Sequence, residues 1–418
     1  MKHCFFFLLD GARYDVFHNL LQSNKLPHIK KYFLNQGELK KGLTSFPSTT
    51  GPAYLPFLTG KHPGECNVPG IRWLDKKEFK KGGLSLFKYR SYVGLGSYLI
   101  NRDMNPQVKT LFHHFPHSFN IYNTITSGLR EKNNKEKWTK IYSSSYSHFT
   151  SNWFWVDERT KQAFLKLLPQ KPQFVFAVFP SVDGISHMEG PFSKKTLEAY
   201  EKIDTHIGSI LEKHIELNDP HFENTLIIIS SDHGMSETHT HFDVASFLET
   251  KKNKVFSYPQ VWKKNVDSAV MVSGNAMAHL YFLDSEEPLL YQNFKEKHKY
   301  VVDLLFEQDA IEWIAARRGE KDFFITKKNV HENDIIDLEY QLSHIFKSPR
   351  SGDLIVAAKR GFDLRKDFEI PEHRGSHGAL LKEHMEIPIC INKRFERDLY
   401  RNLDVFSCIK DYLEEKVI

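Results

Sequence analysis

Leu226-Ile227-Ile228-Ile229-Ser230-Ser231-Asp232-His233-Gly234-Met235 is an aliphatic run of strand length, two small polar residues, and an adjacent Asp-His pair closed by glycine. An apolar run of that length reads as a buried strand. Ligands in open α/β sheets gather at the carboxyl ends of the strands, which is where Asp232 and His233 stand.

Working outward, the same arrangement recurs. Phe174-Val175-Phe176-Ala177-Val178-Phe179 is a second buried-strand candidate, followed by Pro180-Ser181-Val182-Asp183-Gly184-Ile185-Ser186-His187, where Asp and His four apart can turn toward one cation. The chain opens on a third such run, Lys2 to Leu9, ending in Asp10-Gly11. Phe46-Pro47-Ser48-Thr49-Thr50-Gly51-Pro52-Ala53-Tyr54 places hydroxyls before a Gly-Pro suited to a first helical turn. Free backbone N–H groups there favour an ionised hydroxyl and an incoming phosphate. Arg374-Gly375-Ser376-His377-Gly378 supplies a histidine between glycines, which allow close backbone approach. Taken singly, each piece also reads as a cap or a turn. Their ordered combination points to two close divalent cations and an attacking hydroxyl.

That ordered set resembles the alkaline phosphatase superfamily, and within it the nucleotide pyrophosphatase/phosphodiesterase (type I phosphodiesterase) family. Ser231-Asp232-His233-Gly234-Met235 is the most specific part, and the stretch Leu197 to Leu211 looks like that family's helix leading into the metal-binding strand. The resemblance implies a three-layer α/β/α sandwich with a largely parallel central sheet. It implies one metal on Asp183, His187 and His377 and another on Asp10, Asp232 and His233, with Thr50 as nucleophile approaching the second. Thr50 stands two residues before Pro52, as the family's threonine does before its proline; Thr49 and Ser48 remain neighbouring alternatives. The implied activity is phosphodiester or pyrophosphate hydrolysis through a phospho-threonine intermediate. A phosphomonoesterase or phosphotransferase on the same scaffold is the alternative, and a binding protein that keeps the fold without catalysis is a third reading. Zinc is the expected metal, with manganese second for sites rich in Asp and His.

The chain departs from the family where substrate is held. Ala53 stands where the family has asparagine, and of the two candidates for a phosphate contact, Asn67 falls a few residues early and Arg72 close to the expected place. An arginine fork there favours a more highly charged group, whereas Asn67 accommodates a diester.

Composition fits one large α/β catalytic domain: 418 residues, 40% of them hydrophobic, can supply a sizeable core. Residues 74–173 read as an aromatic, basic insertion, including Tyr89, Tyr92, Trp138, Tyr142, Phe149, Trp153, Phe154 and Trp155, that either caps the site or forms a peripheral unit. Residues 239–350 read as a second inserted subdomain, with a strand over Ala278–Leu283 and a helix from about Lys297 to Arg317; sheet pattern resumes at Asp353–Ala358 and near Ile387–Ile391. The net charge of +5 is too small to imply nucleic acid. Cys4, Cys66, Cys390 and Cys408 have no metal or redox spacing. With no visible membrane span, and Asp10 interrupting the N-terminal apolar run, a cytoplasmic setting is expected. His206, His239, His241 and His373 are expected to lie outside the ligand set, and the expected partner is a small phosphate ester.

Overall fold

In the computed structural model of the chain the described residues are 1–81, 88–150, 152–217, 219, 221–259, 263, 265–328, 334–365, 372–396 and 398–415, without the side chains of 144, 145, 148 and 149. The three apolar runs form the centre of a seven-stranded sheet. Its order is Glu38–Leu43, Glu386–Ile391, Thr225–Ser230, His3–Leu9, Phe174–Phe179, Ser118–Ile121 and Asn134–Lys135. Only Glu386–Ile391 runs against its neighbours.

Strand His3–Leu9 explains why so apolar a sequence folds as strand. Side chains alternate between faces. Phe5 and Phe7 each lie 5.2 Å from the Phe164 ring on helix Phe154–Leu167. Phe6 points the other way, 5.0 Å from Phe57 on helix Leu55–Thr59. Both faces are therefore covered, and every residue of the strand is buried. Helix Lys194–Leu217 packs on Phe154–Leu167, and helix Asn402–Leu413 packs on Leu55–Thr59, completing a three-layer α/β/α sandwich. Full burial of each phenylalanine stabilises the fold by about 1.5–3 kcal/mol.

A second sheet of six strands follows the order Val255–Ser257, Ser268–Ser273, Met277–Phe282, Leu354–Ala358, Ile311–Arg317 and Phe323–Lys327. It has its own apolar core around Val270, Leu280, Ile314 and Val356. The expected helix reaching Arg317 is corrected here: helix Tyr291–Phe306 ends before a turn, and Ile311–Arg317 is a buried strand. It pairs antiparallel with Leu354–Ala358 on one side and Phe323–Lys327 on the other. Burial of Ile311, Trp313 and Ile314 between two partners outweighs the helical preference of the alanines. Strand Leu354–Ala358 thus belongs to this sheet and not to the central one. Among the described residues no helix is long and apolar enough to cross a membrane.

Candidate active site

Three neighbouring strands of the central sheet deliver acids to one place. Asp10 follows His3–Leu9, and Asp232 follows Thr225–Ser230. Asp183 sits in the first turn of helix Ser181–Glu189, just after Phe174–Phe179, and His187 lies one turn on, on the same face. Gly11 lets the acids converge. Its N–H donates to Asp232 Oδ1 at 3.2 Å, its φ is +73°, and a Cβ there would lie 2.8 Å from the Asp183 Cβ.

His377 arrives from the far side on a loop clamped by the second sheet. Its N–H donates to Gly274 O at 3.1 Å, and its carbonyl accepts from Ala276 N–H at 2.9 Å. Gly378 allows the approach, since a Cβ there would lie 2.6 Å from Ser273 O.

Two groups result. Asp183 Oδ1 is 3.4 Å from His187 Nε2 and 3.9 Å from His377 Nε2. Asp232 Oδ2 and Asp10 Oδ1 are 3.2 and 3.6 Å from His233 Nε2. The His233 and His377 rings stack at 3.8 Å, so the groups are adjacent.

The protons can be assigned from the partners. His187, His233 and His377 each place Nδ1 2.9 Å from a carbonyl, of Gly375, Gly234 and Ser48 respectively. A carbonyl only accepts, so each Nδ1 carries the proton and each Nε2 turns a lone pair toward the carboxylates. Acceptors therefore face acceptors in a buried space, and Asp183 Oδ1 and Asp232 Oδ2 have no hydrogen-bond donor among the described residues. Such a set is stable only around cations. Two groups of two carboxylates or one, completed by imidazoles, fit two divalent ions.

The electrostatics agree. Burial and the Asp183 charge push Asp10 above the usual carboxylate range, and burial with Asp10 and Asp183 pushes Asp232 well above it. Burial and His233 push His377 far down, so its imidazole is neutral. A third cluster, His62, Glu65 and His344, has a different character. The Lys347 ammonium lies 3.0 Å from Glu65, and the His62 N–H donates to the same carboxylate at 3.0 Å, as in a helix cap.

Thr50 Oγ1 lies 3.2 Å from both Asp10 Oδ1 and His233 Nε2. Its two neighbours differ: Ser48 Oγ donates to Ala379 O at 2.7 Å, and Thr49 Oγ1 is buried with no partner among the described residues. Gly51, at φ +90°, turns the chain into the short helical turn Pro52–Tyr54. Tyr54, which sequence reasoning passed over, donates its phenol to Asp10 Oδ2 at 2.6 Å.

A cavity of about 590 Å³ opens over Asp10, Thr50, Asp183, His187 and His377. Arg72 lines it, and Asn67 does not: the Asn67 side chain accepts from Ser348 Oγ at 2.9 Å. Tyr92 and Trp153 of the aromatic segment line it too, whereas Trp138 and Tyr142 stack on each other in solvent, and the Phe149 side chain lies outside the described residues. Lys140, Arg365 and His373 also line the cavity. Lys140 and Arg365 carried no sequence signal, since each sits in a mixed polar stretch without a motif. His206 packs its ring on Phe179, and His241 pairs with Asp363.

Comparison with known proteins places this geometry. The model of the type I phosphodiesterase / nucleotide pyrophosphatase family matches residues 4–380. Phosphonoacetate hydrolase from Sinorhizobium meliloti 1021 superposes with a TM-score of 0.65 at 15% identity, covering 99% of this chain and 96% of that one. Murine ectonucleotide pyrophosphatase / phosphodiesterase 5 superposes at 0.62 and 14% identity, over 99% and 95%. At such identities these likenesses speak for the fold. GPI ethanolamine phosphate transferase 2 of Saccharomyces cerevisiae is 29% identical over 129 residues, which is 30% of this chain and 15% of that protein.

Proposed function

The chain belongs to the type I phosphodiesterase / nucleotide pyrophosphatase family and is a phosphoric ester hydrolase; from that premise we propose that it cleaves phosphodiester or pyrophosphate bonds through a phospho-threonine intermediate on Thr50. The observation that carries this reading is the Thr50 hydroxyl, 3.2 Å from both Asp10 and His233 of the second acceptor group and open to the cavity.

Asp183, His187 and His377 would hold one divalent ion, and Asp10, Asp232 and His233 the other, zinc first and manganese second. When bound, such ions lower the pKa of an adjacent hydroxyl and neutralise charge on phosphoryl oxygens. The chain's own residues do the rest. Thr50 Oγ gives up its proton and forms a bond to phosphorus as the ester oxygen departs in line, and that oxygen takes up a proton to leave as the alcohol. Water then breaks the Thr50 phosphoester from the opposite side, restoring the hydroxyl and releasing phosphate or a monoester. Two in-line displacements give net retention at phosphorus. Gly11 and the carbonyls behind the histidines fix the donor set before substrate arrives.

Arg72 on the cavity wall favours a second reading, a phosphomonoesterase or phosphotransferase on the same residues. Rates on bis-p-nitrophenyl phosphate and p-nitrophenyl phosphate with zinc- or manganese-loaded protein separate the two. Diester preference abolished by Thr50→Ala supports the first reading. Monoester preference moves the assignment to the second, and full activity in T50A removes Thr50 as nucleophile.

A further inference from the structure

The cavity holds three cations at two different places. Lys140 stands at the metal-ligand end, where burial lowers its pKa and the charges of Asp10, Asp183 and Asp232 oppose that fall. Its ammonium lies over the Tyr122 ring, 4.5 Å from the centroid. Arg72 is placed otherwise. Its guanidinium donates to the Val272 carbonyl at 3.3 Å and lies 5.1 Å from the Tyr258 ring, while its Nε is buried with no hydrogen-bond partner among the described residues.

Arg365 lines the same cavity. It donates to Asn275 Oδ1 at 2.9 Å, and burial together with the charge of Arg72 pushes it down to about 9. Asp363 offsets part of this, but that carboxylate is shared with His241 at 2.9 Å. Arg365 in turn acts on His187, and the Arg72 guanidinium faces the Tyr258 ring. Two guanidinium groups on the wall of one cavity, one of them with a buried Nε that has no hydrogen-bond partner among the described residues, suit an anionic group there.

We propose that Arg72 and Arg365, walled by Tyr258, form an anion subsite for a second acidic group on the substrate, a carboxylate or a phosphate carried by the organic part of the ester. The inference rests on the hydrolase reading for the first phosphoryl group and adds what the rest of the substrate must carry. Fork-shaped donors suit planar carboxylate and phosphate alike, and the ring beneath Arg72 holds its plane.

A binding measurement tests this apart from catalysis. Titration calorimetry on zinc-loaded protein compares propylphosphonate with 3-phosphonopropionate and ethylene-1,2-diphosphonate. A charge-assisted fork contact makes the doubly anionic ligands bind about 10- to 100-fold tighter. In Arg72→Gln and in Arg365→Gln that ratio falls toward one. The stronger of the two bisanions identifies the carboxylate or the phosphate as the natural group. Equal affinity for all three ligands in the wild type overturns the proposal, as does a preference that survives both substitutions. A retained preference in a protein that hydrolyses neither chromogenic ester would leave the subsite standing and sink the hydrolase reading.

Discussion

Tyr54 decides how Asp10 meets its cation. One carboxylate oxygen accepts the phenol at 2.6 Å, and the other is left to face Thr50 and His233. Such supporting hydrogen bonds commonly change metal affinity by about 10- to 100-fold. Tyr54→Phe keeps the ring in its buried slot, so it is expected to fold while binding its second equivalent of zinc about 10-fold more weakly. Competition with a chromophoric chelator reads this directly, and two unchanged affinities would reduce Tyr54 to packing. Thr50→Ala makes the complementary case. It removes none of the six proposed ligands, so both metals stay, whereas turnover falls by about 10³-fold or more if the hydroxyl is the nucleophile. Mass spectrometry after acid quench should find phosphate on Thr50 in the wild type alone. Label on another residue would refute the assignment.

The elements show what could be read from the chain and what could not. Each central strand announces itself as a short apolar run, and the acid that follows falls at the strand end because the sheet is parallel. That logic is local, so Asp10, Asp183 and Asp232 were legible. The histidines were legible as spacing, but their tautomers depend on carbonyls distant in sequence, such as Ser48 behind His377. Strand Ile311–Arg317 reads as helix from sequence because its alanines favour one and one of its two partner strands, Leu354–Ala358, is remote in sequence. Arg365 escaped for the same reason: nothing near it in sequence hints at a cavity made by Arg72 and Tyr258. At this scale Gly11 is the joint between elements. A side chain there would adopt the strained left-handed backbone and press on Asp183, at the start of the next helix. Gly11→Ala is expected to cost about 1–3 kcal/mol of stability and to weaken both metal sites together, since it separates the acids of one from the acid of the other. Urea titration with metal stoichiometry measures it; wild-type loading would mean that the strand end yields without moving Asp183.

The whole molecule brings a remote consequence of burying so many imidazoles. His62 and His384 are pushed down to about 3, and His206, His214 and His279 to about 4, in every case first by burial. Each is neutral in the fold and titrates near 6.5 when unfolded. The unfolded chain therefore takes up protons first as pH falls below 6.5, and the fold loses stability at about 1.4 kcal/mol per pH unit for each such histidine until its folded pKa is reached. Stability is fully present above 6.5 and drains toward pH 4. Asp10 and Asp232, raised in the metal-free fold, act with the opposite sign, so the effect must be isolated at a histidine away from the acids. His214 serves: its Nε2 meets Thr225 Oγ1 at 2.9 Å, at the start of the strand whose far end carries Asp232, and its ring lies edge-on to Phe5 at 4.8 Å. His214→Gln is expected to be less stable than wild type at pH 7.5, having lost that ring contact. At pH 5 the wild type has surrendered about 2 kcal/mol to proton uptake by unfolded His214, a loss the variant cannot suffer. The gap between their urea midpoints in zinc-loaded protein should therefore narrow or close on acidification. A gap that stays constant from pH 7.5 to 5 would mean that His214 takes up its proton in the folded protein as readily as in the unfolded chain.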